Sequence, residues 1–185
     1  GALIEPLAVG FHAANQGGAH IGQTAVVFGA GCIGLMSMMA LKAEGVGRVY
    51  VVDVMDKRLE KARELGATVV INSKKENVLD RINALTDGRG VDLCIETSGQ
   101  EICTRQAVDI SRKGATIVFV GYPASGEETL PVSKILDKEL TFKSVFRYRH
   151  IYPMAIEAVA TGKVNVKGVV TNIFDFDDIQ NAMDR

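Results

Sequence analysis

Six consecutive residues, Gly29-Ala30-Gly31-Cys32-Ile33-Gly34, form a G-x-G-x-x-G run after a β-type stretch and at the opening of a helical one. At such a junction the first glycine makes the tight turn, the second lets the backbone approach a pyrophosphate, and the third lets helix and strand pack closely. The N–H groups of the first helical turn, here those of Cys32 and Ile33, face the anion, and the helix dipole adds partial positive charge. A glycine-rich turn with no ligand has the same pattern, so the run alone is a weak signal. Asp53 strengthens it. This carboxylate ends the next β-type stretch, 19 residues beyond Gly34, where it can accept hydrogen bonds from the adenosine ribose hydroxyls and repel a 2′-phosphate. Together they predict dinucleotide or adenosyl binding, with NAD favoured over NADP. Asp53 has a second reading as a cap for the helix after Met55, a task open to Asp56 as well.

Other reactive side chains carry less. His12, His20 and His150 share no metal-ligand spacing and read as surface or satisfied core histidines. Cys32 lies in the glycine loop, where a helix N-terminus can lower a thiol pKa; its other reading is a small buried filler. No Ser, His and Asp arrangement suggests a hydrolase, and Met36, Met38 and Met39 read as helix packing. Cys32, Cys94 and Cys103 make neither an even framework nor a C-x-x-C pair, which predicts reduced thiols and a cytoplasmic protein.

Several elements must hold the glycine run and Asp53 in register. The 185 residues fit one domain. With 21 Lys and Arg against 22 Asp and Glu, the chain has no broad attraction for nucleic acid or an anionic membrane, so neither is expected as a partner. The uncharged stretch from Pro6 to Leu41 is broken by Gly29, Gly31 and Gly34 and is polar in its first half, so it reads as strand, turn and buried helix rather than a membrane span. Strands are predicted at Thr24–Phe28, Arg48–Asp53, Thr68–Ile71, Val91–Glu96, Ala115–Val120 and Leu140–Val145, rich in Val and Ile as befits strands covered on both faces. Helical spacing fills Ile33–Ala43, Lys57–Leu65, Asn77–Thr86 and Ile102–Ile110 between them. Flanking helices are predicted at Leu3–Gln16, at Ile151–Thr161 with Pro153 in its first turn, and from Asp175 or Asp177 to Met183. The result is an α/β Rossmann fold, a six-stranded doubly wound parallel sheet of order 3-2-1-4-5-6. A start at Gly-Ala-Leu-Ile-Glu-Pro, with no initiator Met, reads as the edge of an excised piece.

Positions 1 to 10, the glycine run, Asp53 with Arg58, Glu96-Thr97-Ser98-Gly99 and Val145-Phe146-Arg147-Tyr148 together resemble the cofactor-binding lobe of zinc-dependent medium-chain dehydrogenases. The polyol branch, the sorbitol and xylitol dehydrogenases, is the nearest in pattern. The resemblance runs over essentially the whole chain, residues 1–185, as one NAD-binding domain. The family's catalytic zinc-binding lobe, with its Cys and His ligands, has no counterpart here.

The resemblance implies the following roles. Glu5 lies beside the catalytic zinc in the full-length enzyme, touching the metal or its water, and is the only metal-site residue this chain supplies; by itself it is also a helix-dipole partner. Arg58 stacks on adenine, Thr97 meets the nicotinamide ribose, and Val120, Gly121 and Phe146 turn backbone groups toward the carboxamide and ring. Arg147 and Tyr148 reach the substrate and zinc region. NAD is the cofactor, a small alcohol or polyol the substrate, and the isolated lobe is expected to be inactive. Relatives join two such lobes at the sixth strand, so a homodimer or homotetramer through the sheet edge is expected. Two other classes remain open at this point: an adenosylmethionine-dependent methyltransferase domain, which uses a similar loop and acidic residue, and a free-standing dinucleotide-binding or assembly module.

Overall fold

The computed structural model describes residues 1–184. Among them a six-stranded, all-parallel sheet runs in the order β3-β2-β1-β4-β5-β6, the predicted architecture. The strands are β1 (Thr24–Phe28), β2 (Arg48–Asp53), β3 (Val69–Asn72), β4 (Val91–Glu96), β5 (Ser111–Phe119) and β6 (Thr141–Ser144). The helices are α1 (Ile4–Gly17), α2 (Cys32–Ala43), α3 (Asp56–Glu64), α4 (Val78–Thr86), α5 (Glu101–Ile110), α6 (Val132–Lys138), α7 (Tyr152–Ala160) and α8 (Ile179–Met183). None of these helices is long and apolar enough to cross a membrane.

Every residue of β1 and β4 is buried, because α1 and α2 cover one face of the sheet and α4 and α5 the other. Along β1 the alternation is plain: Ala25 and Val27 join the cluster under α1 and α2, while Val26 and Phe28 join that under α4 and α5. Helices α1 and α2 touch backbone to backbone at Gly10, where a Cβ would stand 2.6 Å from the carbonyl carbon of Met36. Helix α1 ends on Gly18 in the left-handed region, φ 65°, as the Gly17-Gly18 pair predicts.

The departures have physical causes. Strand β3 runs one residue later than predicted, with Asn72 opposite Asp53. Strand β5 starts at Ser111, through Lys113 and Gly114, because Ser111 pairs with Val91 before a register shift between Val91 and Leu93. Val120 lies beyond its end, with its N–H given to the Glu96 carbonyl at 2.8 Å. Helix α6 was not predicted; it buries none of its residues, so it has no apolar stripe to read. It is held by Lys138, whose Nζ donates to the carbonyls of Val108, Asp109 and Ser111 at 2.7–2.9 Å. Asp175 precedes a short 3₁₀ turn at Phe176–Asp178, and the residue before α8 is Asp178, so neither Asp175 nor Asp177 caps that helix.

Candidate functional site

The C-terminal ends of β1, β2 and β4 meet at a cleft of about 500 Å³ lined by Gly29, Gly31, Cys32, Ile33, Gly34, Asp53, Arg58, Thr97, Ser98 and Cys103, among others. This is the crevice at the strand-order reversal, where ligands bind in open α/β sheets. Each glycine has a separate reason to be there. Gly29 turns at φ 93°. A Cβ on Gly34 would stand 1.9 Å from the Gly29 carbonyl oxygen, so α2 could not sit this close to its strand with any other residue. Around Gly31 nothing stands within 4 Å of a Cβ position. The middle glycine thus faces open space beside the α2 N-terminus, the room a phosphate group requires.

Asp53 is only 8% exposed. Its Oδ1 accepts the N–H groups of Val54 at 2.7 Å and Met55 at 2.9 Å, and its Oδ2 accepts that of Ala30 at 2.7 Å. The capping reading does not hold for Asp53 or Asp56: Met55 is the residue before α3, with no side-chain cap hydrogen bond, and Asp56 is already the first helical residue. Instead three backbone donors fix the Asp53 carboxylate and tie the glycine loop to β2, and of about four acceptor positions roughly one stays free. Arg58 is half exposed, its Nη1 3.9 Å from Asp53 Oδ2. Thr97 donates its hydroxyl to the Phe28 carbonyl at 2.7 Å, closing the seam between β1 and β4.

Cys32 departs from both of its readings. It is exposed, not a buried filler, and its pKa is raised, first by desolvation and then by the nearby Glu5 carboxylate. Cys94 is fully buried, and desolvation pushes its thiol up to about 12.

The remaining predicted residues gather elsewhere, beyond β5 and β6. Phe146 is 73% exposed, with the Arg147 guanidinium 5.2 Å from its ring centre and Tyr122 edge-on at 6.5 Å. Tyr148 packs on Tyr152 with ring centres 5.0 Å apart and hydroxyls 3.0 Å apart. That hydrogen bond, then desolvation and the charges of Tyr148 and Glu5, raises the Tyr152 pKa. Glu5 thus acts on both Cys32 and Tyr152, from an exposed place in the first turn of α1. Zinc does not fit this donor set: among the described residues no three His, Cys, Asp or Glu side chains stand close enough to hold a metal ion.

Glu96 enters the sequence pattern only as part of the Glu96-Thr97-Ser98-Gly99 run, with no role of its own. The residue is 1% exposed. Oε1 accepts the Ser98 N–H at 2.8 Å, the Ser98 hydroxyl and the Gly99 N–H at 3.1 Å, the last shared with Oε2. Its backbone carbonyl takes the N–H groups of Val120 and Gly121. An acidic residue ending a Val-Asp-Leu-Cys-Ile strand, followed by Thr-Ser-Gly, was the available signal.

Residues 32–161 match the family model for zinc-binding dehydrogenases. The zinc-type alcohol dehydrogenase-like protein YdjJ of Escherichia coli K12 is 42% identical over all of this chain and 52% of its own length. The sorbitol dehydrogenase of Bacillus subtilis 168 is 39% identical over the same shares. The chain spans about half the length of the curated relatives it matches. Of solved structures, an alcohol dehydrogenase from Escherichia coli CFT073 complexed with NADH superposes with a TM-score of 0.89 at 30% identity, covering 98% of this chain and 53% of that one. A candidate zinc-binding dehydrogenase from Sinorhizobium meliloti 1021 bound to NADP gives 0.84 at 27%, covering 90% and 49%.

Proposed function

Because the chain belongs to the zinc-binding dehydrogenase family, we propose that residues 1–185 are one NAD-binding domain that aims nicotinamide at a small secondary alcohol or polyol. The observation that carries this reading is the pairing of open space at Gly31 with a fixed carboxylate at Asp53 in one cleft. Bound NAD supplies the hydride acceptor. The Cys32 and Ile33 N–H groups hold the pyrophosphate, and Asp53 accepts from the ribose and repels a 2′-phosphate, which favours NAD over NADP. Arg58 covers the adenine side, Thr97 lies toward the nicotinamide ribose, and Val120, Gly121 and Phe146 line the nicotinamide end. Glu5, Arg147 and Tyr148 stand where the absent half of a full-length enzyme would bring metal and substrate, and Glu5 alone holds no metal. Family membership sets aside the methyltransferase reading.

We also propose a cytoplasmic protein that pairs through the β6 edge. Val145 donates its N–H inward to Phe119, so by alternation the N–H groups of Phe142 and Ser144 face outward, free to extend the sheet into a second copy. Fluorescence titration tests the cofactor reading: NADH is expected to bind at least about tenfold tighter than NADPH, a gap of about 1.4 kcal/mol, and Asp53→Asn to narrow it. Equal affinities would overturn the role given to Asp53.

A further inference from the structure

Glu96 is buried with no Lys or Arg among the groups that shift it, an unusual place for an acid. A carboxylate taken out of water costs free energy unless donors replace the lost hydration. Here the donors are the Ser98 N–H, the Ser98 hydroxyl and the Gly99 N–H, all in the turn that leads from β4 into α5. That turn supplies Thr97, Ser98 and Gln100 to the wall of the dinucleotide cleft, opposite Asp53 and Arg58.

A second turn closes on the same carboxylate. Gly121 sits so near that a Cβ there would stand 2.7 Å from Glu96 Oε2 and 2.3 Å from the Gly99 nitrogen. Gly99, at φ 64°, is pressed equally hard against the Tyr122 carbonyl oxygen, 2.1 Å from its own Cβ position. Two glycines and one acid therefore make a close-packed seam between the turn after β4 and the turn after β5. Ser98 extends the network outward, its hydroxyl accepting the Gln100 N–H at 3.2 Å.

We propose that Glu96 is a positioning residue for the dinucleotide, its carboxylate holding the Ser98–Gly99 turn in the conformation that forms one wall of the cleft. This rests on the cofactor reading above. A neutral acid at position 96 has one acceptor position fewer and a proton of its own to place, so the turn loosens and the wall loses its shape. Desolvation raises the Glu96 pKa against the pull of Ser98 and Gly99, and the Glu128 charge raises it further. The carboxylate therefore takes up its proton at a higher pH than an ordinary glutamate, and cofactor affinity falls with it. The other titratable groups facing this seam are Glu128 from the turn after β5, Cys103 on α5 and, through Cys103, Asp53 at the end of β2.

The test is NADH affinity of the whole 185-residue chain, measured from about pH 8 to about pH 5, for wild type, Glu96→Gln, Glu128→Gln and Gly121→Ala, with a thermal melt of each. Wild type is expected to weaken several-fold on acidification. Glu96→Gln is expected to bind about tenfold more weakly at the alkaline end and to lose the pH dependence while keeping its melting temperature. Glu128→Gln should keep the pH dependence. Gly121→Ala, which pushes a methyl against the same carboxylate and the Gly99 nitrogen, should weaken NADH while leaving the acid at position 96 in place. An unchanged affinity in both Glu96→Gln and Gly121→Ala, or a pH profile that survives in Glu96→Gln, overturns the proposal. Wild type that binds no NADH at any pH overturns the cofactor reading itself, a result distinct from either.

Discussion

The glycine loop offers a paired perturbation whose two halves should separate folding from binding. Replacing Gly34 by Ala places a methyl 1.9 Å from the Gly29 carbonyl oxygen, 2.8 Å from its carbon and 3.1 Å from the Thr97 hydroxyl. The first two are backbone atoms of a fixed turn, so relief requires α2 to move away from β1. Overpacking of this kind costs about 1–3 kcal/mol, and a chain of this size loses roughly 2–4 °C of melting temperature per kcal/mol. Gly34→Ala should therefore melt several degrees below wild type. Gly31→Ala is the opposite case. Its φ of −73° and ψ of −173° suit any residue, and its Cβ meets nothing, so the fold should be unchanged or gain up to about 1 kcal/mol from a stiffer unfolded chain. The space it fills is where the pyrophosphate must approach, so NADH affinity should fall at least about tenfold. Calorimetric melting and NADH titration on the two variants decide the matter. A Gly31→Ala protein that binds NADH like wild type, or a Gly34→Ala protein that melts with it, would refute the division of roles among the three glycines.

Asp92 should make the fold acid-sensitive. Desolvation raises its pKa, but the hydrogen bonds from Arg112 Nε at 2.5 Å and the Thr24 N–H at 2.7 Å, with the charges of Arg112 and Arg89, lower it overall. A lowered folded pKa contributes stability that is full above the unfolded value, about 3.9, and is lost as pH falls through the folded one. Asp92→Asn should cost about 1.5–3 kcal/mol at neutral pH and flatten that acid limb in urea melts. Ser144→Pro, which removes one outward N–H but spares the Phe119–Phe142 stack at 5.5 Å, should turn a dimer into a monomer by light scattering; unchanged mass would exonerate this edge. Dialysed protein should retain no stoichiometric zinc by metal analysis and should not turn over sorbitol; one bound zinc per chain would show that ligands have been overlooked.

Strand identity was most legible where both faces are covered. Runs such as Ala25-Val26-Val27 and Val49-Tyr50-Val51-Val52 can satisfy two apolar layers only as central strands, and β1, β2 and β4 fall at their predicted bounds. The edges were harder to read. Helix α6 leaves Leu136 71% exposed, and its anchor, Lys138 on the end of α5, is a tertiary contact invisible in local spacing. In the cleft, the glycine run and Asp53 were readable because their spacing follows from strand and helix lengths. Glu96 was not, since the donors that justify its burial come from a turn whose closure depends on β5 lying alongside. The opposite direction of the Cys32 pKa had the same origin: the loop context suggested an anion-stabilising helix end, whereas desolvation and Glu5, 27 positions away in sequence, decide the sign.

The most direct measurement is a crystal structure of this chain grown with NADH. The pyrophosphate is expected on the N–H groups of Cys32 and Ile33 over Gly31, with a ribose hydroxyl on the free acceptor position of Asp53. A dinucleotide seated instead in the neighbouring cleft, of about 490 Å³, beside Lys57, Lys61 and Asn172, with Asp53 untouched, would contradict it.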